Sequence, residues 1–286
     1  MSVSMDVGSD GVAVISFYNP PLNALSPPLI AGLKEKYAEA MRSDAVKAIV
    51  LTGKAGVYSS GFDINALQNA QKTDAKKPSV AAIQGLAFGG GLELAMACHA
   101  RIATPEVQLG LPELTLGITP GFGGTQRLPR LVGIPKAIEM ILSSKSIMSK
   151  EGKKLGLIDV IVSSEELLTA SRCWALDISD RHKARTSSLR RTDKLCSLTE
   201  AHEILMLARQ SARQIIPNLP HYLECLEAVG EGIFFGGYAG ILKEAEIFTK
   251  LLLSSTSRDL VCAFFVQCAN AQNVRDSESV SAMARL

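Results

Sequence analysis

The sequence predicts an α/β fold followed by a mainly helical C-terminal region. Short β-branched apolar runs alternate with a segment of helical period as far as Pro129, and beyond it the apolar spacing is chiefly that of helices. Of the 286 residues, 47% are hydrophobic and 20% charged, which excludes a disordered chain and supplies a sizeable core. At ~150 residues per domain the length gives roughly two units, and one large α/β domain with a helical appendage fits equally well.

Gly11 to Phe17 (GVAVISF) reads as a strand broken at Pro20-Pro21. Ser26 then stands as an N-cap, with Pro27 and Pro28 in the first turn of a helix whose apolar stripe is Leu29, Leu33, Tyr37 and Met41. Lys47 to Thr52 (KAIVLT), bounded by Gly53, is short and β-branched as a buried strand should be, and Val80 to Ile83 repeats the pattern. The glycines 89 to 91 open a helix expected to run through His99, and Ala100 to Ala103 begins another extended stretch. After Pro129, helices are expected over 135 to 143, Ser164 to Ile178 and Leu198 to Ile216, with a turn at Gly156 and with Pro217 and Pro220 ending the last of them. The expected division is a core over 1–185, a helical region over 186–260 and a polar tail over 261–286.

Composition narrows the function. With 30 basic and 28 acidic side chains the net charge is +2, too small a field to hold nucleic acid or an anionic membrane. The run from Leu260 to Val266 is far shorter than the ~18 apolar residues of a bilayer span. Six cysteines and four histidines are scattered without a CxxC pair or a ligand cluster, and no charged-then-apolar leader opens the chain. Reduced thiols, an intracellular protein and no metal site are expected. Arg181 to Lys194 holds six Lys/Arg and one histidine but no aromatic residue, and reads as a solvated connection rather than a phosphate patch.

Three segments carry chemistry. In the first, IQGLAFGGGLEL, the glycines at the helix start let backbone approach a ligand, and the free N–H groups there favour an oxygen bearing negative charge. Glu93 falls in the first turn of that helix, where the dipole favours its charge. The second segment is LGLPEL running into PGFGGTQRLPRL and the third is YSSGFDI, a turn straight after a buried strand. No strict GxGxxG dinucleotide fingerprint and no Gly-x-Ser-x-Gly elbow occurs. His99 reads as a hydrogen-bonded residue at a helix end, Asp63 as a turn former, and Arg127 and Arg130 as polar contacts around the glycine loop.

Taken together and in this order, the segments resemble the crotonase (enoyl-CoA hydratase/isomerase) superfamily, including the twenty-residue separation of Glu93 and Glu113. KPSVAAIQGLAFGGGLELAMACHARI, LGLPELTLGITPGFGGTQRLPRLVG and GGYAGILKEAEIF look most like the N-terminal hydratase region of plant-type peroxisomal multifunctional proteins of fatty-acid β-oxidation. The resemblance implies a ββα spiral core and an enoyl-CoA hydratase acting on trans-2-enoyl-CoA, with Δ3,Δ2-enoyl-CoA isomerase activity as a companion. It implies that Glu93 and Glu113 are catalytic and hold one water, that the backbone N–H groups of Phe62 and Gly90 bind the thioester oxygen, and that Gly61, Asp63, Ile64, Gly89 and Gly91 line the substrate.

No cofactor is implied, coenzyme A being a portion of the substrate, and self-association as a trimer or hexamer is. Two departures favour an alternative reading, a catalytically impaired acyl-CoA-binding or subunit-association protein. Asn65 stands where the family often has lysine, and only ten residues separate it from Lys76 where a longer helical segment is usual. The C-terminal dehydrogenase of the multifunctional proteins is absent from this sequence, so a truncated or spliced form without NAD chemistry is expected. Ala284-Arg285-Leu286 resembles a small-basic-leucine peroxisomal signal.

Overall fold

The computed structural model describes residues 1–61, 77–264 and 266–267. A six-stranded sheet runs in the order β1-β2-β3-β4-β6-β9 and a three-stranded sheet in the order β5-β7-β8. The large sheet is built from β1 (Ser2–Val7), β2 (Val12–Tyr18), β3 (Ala48–Gly53), β4 (Ser79–Ile83), β6 (Ala100–Ala103) and β9 (Val160–Ile161). Only the β1–β2 pair in it is antiparallel. The small sheet holds β5 (Leu86–Phe88), β7 (Gln108–Gly110) and β8 (Ile147–Met148). Successive strands alternate between the sheets: β4 is followed by β5 and then α2 (Gly90–Ala97), β6 by β7 and then a 3-10 turn, η1 (Glu113–Leu116). This is the expected spiral of strand, strand, helix.

Period-two alternation sorts the strand residues between two cores. Val12, Ala48, Val50, Val80, Ala82, Ala100 and Ile102 pack on α6 (Leu167–Ser179) through Leu167, Ala175 and Ile178. Their neighbours Ala13, Ile15, Phe17, Ile49, Leu51, Ala81, Ile83 and Ala103 face the main core with Leu92 and Met96 of α2. Burial on both faces is why these strands read as mostly apolar runs, interrupted by Ser16 in β2 and Arg101 in β6. α1 (Pro27–Arg42) covers β1 and β2, with Leu29 buried and Leu33, Tyr37 and Met41 packed on the main core, as the stripe requires. Ser26 is its N-cap residue, yet its hydroxyl makes no capping bond, because prolines at the first two positions leave fewer N–H groups to cap.

Other boundaries move. α2 stops at Ala97, two residues before His99, whose N–H bonds to Ser79 O and whose Nδ1 accepts from Ser79 N–H. α6 begins at Leu167 rather than Ser164, because Ser163 and Glu166 bond to each other in a turn before it. α3 (Gly124–Val132) starts inside the glycine-rich segment and carries Pro129 within it, so helix begins earlier than expected.

Beyond α4 (Ile134–Ser143) and α5 (Ser149–Leu155), α7 (Leu198–Ile215), α8 (His221–Phe234) and α9 (Gly237–Leu252) pack on one another and on α3 and α4. α8 and α9 approach closely at Gly232 and Gly240, where a Cβ on Gly240 would lie 2.6 Å from Gly232 Cα. Gln126 of α3 sits at this crossing and donates to Ala228 O at 2.7 Å.

The basic stretch is a connection tied into the fold. Ser188 is buried and donates to Met96 O, Lys183 pairs with Asp177, and Arg191 pairs with Asp193. Among the described residues no helix is long and apolar enough to cross a membrane, and no group of three or more His, Cys, Asp or Glu is placed to hold a metal. The thiols of Cys98, Cys173, Cys196, Cys225 and Cys262 are free.

Candidate active site

Two turns lie side by side where β5 ends. Ser59 pairs with Ala87 as a parallel bridge, accepts from Phe88 N–H and donates its own N–H to Leu86 O. The Ser59 hydroxyl binds Asn23 O and accepts from Gly61 N–H at 3.1 Å, which fixes the chain as it leaves the bridge. At Gly61, with φ +107°, a Cβ would lie 3.0 Å from Phe88 O and 3.4 Å from Gly90 N. Gly89 takes φ 50° and ψ −130°, a conformation left to glycine, and its N–H is held by Gly110 O. Gly90 is the first residue of α2, so its N–H has no partner within the helix. Gly91 lets α2 press on the neighbouring turn, since a Cβ there would come within 2.7 Å of Ser59. Phe62, Asp63, Ile64 and Asn65 lie outside the described residues.

Glu93 on α2 and Glu113 on η1 are both buried. Glu93 Oε1 accepts from Phe122 N–H at 2.8 Å and Gly124 N–H at 2.7 Å. The Glu113 carboxylate lies against Gly89, where a Cβ would be 2.8 Å from Oε1. Glu93 Oε2 and Glu113 Oε2 are buried without a hydrogen-bond partner among the described residues.

Burial pushes the Glu93 carboxyl up to about 7, held from rising further by those two N–H groups and the Arg127 charge. Glu113 rises well above the usual carboxylate range through burial, and the charges of Glu93 and then Glu244 add to it. Of the two, Glu113 is held the more strongly toward its protonated form, because the Glu93 charge adds to its burial, while Glu93 keeps two N–H donors that favour its ionised form.

The C-terminal helices complete the surroundings. His221 Nε2 meets Leu114 O at 3.0 Å and the Ser257 hydroxyl donates to Leu116 O at 3.1 Å, so the turn carrying Glu113 is held from two sides. Arg127 donates to Phe122 O and Arg130 to Gln126 O and Gly232 O, the polar contacts expected of them.

Glu244 of α9 is the residue that sequence reasoning missed. It is fully buried, and its carboxylate accepts from Gly123 N–H, Thr125 N–H and the Thr125 hydroxyl. Its signal was available: it shares the buried stripe of an amphipathic helix with Gly240, Ile247, Phe248 and Leu251.

Spiral core, paired glycine turns and two buried glutamates together define a crotonase-type fold with a candidate active site where β5 meets α2. The chain belongs to the enoyl-CoA hydratase/isomerase family, whose model matches residues 8–204. It is 58% identical over 284 residues to the peroxisomal fatty acid beta-oxidation multifunctional protein of Oryza sativa subsp. japonica, covering 93% of this chain and 39% of the relative. To the peroxisomal fatty acid beta-oxidation multifunctional protein AIM1 of Arabidopsis thaliana it is 55% identical over 297 residues, covering 96% of this chain and 41% of that one. The chain thus spans about two-fifths of the length of these relatives. The crystal structure of enoyl-CoA hydratase from Mycobacterium smegmatis superposes with a TM-score of 0.59 at 27% identity, covering 79% of this chain and 97% of that one.

Proposed function

We propose that this chain hydrates trans-2-enoyl-CoA thioesters and also moves double bonds from C3 to C2 of 3-enoyl-CoA. The observation that carries the reading is the pair of buried carboxylate oxygens, Glu93 Oε2 and Glu113 Oε2, without a hydrogen-bond partner among the described residues, near the glycine turn that opens α2. In this scheme the thioester oxygen takes hydrogen bonds from the backbone N–H groups of Gly90 and Phe62. Gly61, Asp63, Ile64, Gly89 and Gly91 line the bound acyl group.

Water adds to C3 as Glu93 accepts one of its protons. The C2–C3 π electrons move toward the carbonyl, giving an enolate whose charge the two N–H groups stabilise more than they do the neutral thioester. Glu113 then delivers its proton to C2, and the proton on Glu93 passes back to restore the pair. Side chains and backbone do all of this, with coenzyme A carried by the substrate and no further cofactor.

The test is loss of crotonyl-CoA absorbance with the purified chain. Hydration supports the proposal; acyl-CoA binding without turnover would favour a binding or subunit-association role. Residence in the peroxisome belongs to the same proposal, supported by the peroxisomal names of the relatives; Ala284-Arg285-Leu286 lies outside the described residues. So does assembly as a trimer or hexamer, for which the exposed Met206, Leu207 and Ile215 of α7 offer apolar surface. Sedimentation as a monomer at micromolar concentration would refute assembly.

A further inference from the structure

We infer that Glu244 is a positioning residue: it anchors the turn over 122–125 so that Phe122 and Gly124 aim their N–H groups at Glu93 Oε1 and leave Glu93 Oε2 free for chemistry. The inference rests on the hydratase reading for its kinetic consequence but not for its geometry. Four successive N–H groups at the head of α3 are divided between two carboxylates. Those of Phe122 and Gly124 go to Glu93, and those of Gly123 and Thr125 go to Glu244.

Each carboxylate therefore fixes the donors of the other, because alternate amides of one short turn cannot move independently. The Thr125 hydroxyl is committed as well. Gln126 Nε2 donates to Thr125 Oγ1 at 2.9 Å, so the hydroxyl proton points to Glu244. All three hydrogen bonds run into the Glu244 carboxyl group, Gly123 N–H to one oxygen and both Thr125 donors to the other.

Loss of this anchor and loss of its charge have opposite effects on Glu93. Among the described residues, the charged groups acting on Glu93 or sensing its charge are Arg127 of α3, Glu113 of η1 and Glu244 of α9. Removing a nearby negative charge lowers the carboxyl's midpoint, whereas letting the turn drift removes N–H donors that favour the ionised form and raises it. The structure predicts the second. Gln at 244 keeps the shape but sets an NH₂ group against either the Gly123 or the Thr125 N–H, so the turn must give.

The experiment titrates the Glu93 carboxyl by carbon-13 NMR in the full chain, with side-chain-labelled glutamate and assignment by Glu93→Gln, and compares Glu244→Gln with the unmodified protein. A midpoint displaced to higher pH is expected. With it should come a fall in kcat for crotonyl-CoA of at least about tenfold, the loss of one charge-assisted hydrogen bond, with KM changed by less than about twofold. Thr125→Val, which removes only the hydroxyl donor, should shift the midpoint the same way by less, and it keeps the test open should Glu244→Gln not fold. A lowered midpoint overturns the proposal in favour of a charge effect, and an unchanged midpoint with lowered thermal stability reduces Glu244 to a brace. If the unmodified chain does not hydrate crotonyl-CoA, the hydratase reading fails while the titration still decides the role of Glu244.

Discussion

Glu93→Gln should stabilise the folded chain above neutral pH while slowing hydration. The Glu93 carboxyl is raised by burial from 4.5 to about 7. Between those values the folded state holds a proton that the unfolded chain has released, so the stabilisation is complete below pH 4.5 and disappears as pH rises through 7. The interval is roughly 2.5 units, and at about 1.36 kcal/mol per unit the cost of ionising Glu93 in place is about 3 kcal/mol.

Gln retains an acceptor for Phe122 and Gly124 and never ionises, so the variant escapes this cost. Urea unfolding of both proteins at pH 5 and pH 8.5 measures it: stabilities should be close at the lower pH and about 3 kcal/mol apart at the higher, the variant being the more stable. Glu244, raised to about 8 by burial and the Glu93 charge, has a slope of the same sign. Loss of the Glu93 charge eases its ionisation and widens the gap. Burial holds His221 below its usual 6.5, so its neutral form contributes stability that is lost as pH falls below that value, in both proteins alike. Parallel stability curves for the two proteins across this range would refute the assignment of Glu93 as a carboxyl strained by burial.

Glu93→Gln and Glu113→Gln should each lower kcat for hydration by roughly 10²–10⁴-fold, and the double variant by much less than their product, because the two act as a unit. Wild-type rates in both single variants of an active protein would end the proposed mechanism; isomerisation should depend on Glu113 more than on Glu93. Gly232→Ala places a Cβ 1.5 Å from Gln126 Oε1, so Gln126 must give up Ala228 O; a loss of about 1–3 kcal/mol is expected, and an unmoved urea midpoint would contradict the close crossing of α8 and α9.

Burial on both sides made β3 and β4 legible as nearly continuous apolar runs, and β2 and β6 stayed legible although Ser16 and Arg101 interrupt them. The stripe of α1 was legible for the opposite reason, being buried on one side only. β1 was not, because SVSMDV is largely exposed and its pairing comes from β2, and β5, β7, β8 and β9 have two or three residues, too few for any period. α3 hides behind breakers, with glycines at its start and Pro129 inside; the carboxylates of Glu93 and Glu244, reached only in three dimensions, satisfy its leading N–H groups. Glu93 and Glu113 stood out by their glycine-rich and Leu-Pro settings. Glu244 stands between Lys243 and the exposed side of α9, where one acidic residue looks like another until the buried stripe is traced.

The bonds from Gly123 and Thr125 to Glu244 join positions 121 and 119 residues apart. On a ribosome moving at ~5–20 residues per second, roughly 6–24 s pass between the emergence of the turn and that of its anchor. During that time the strands of the large sheet through β6 can pair, but the head of α3 lacks one of the two carboxylates that receive its N–H groups. Contacts of such long sequence separation form late, because loop closure must precede any reward from them. A nascent chain therefore carries both glutamates well before it carries their finished surroundings, and the head of α3 has its second carboxylate only once α9 docks.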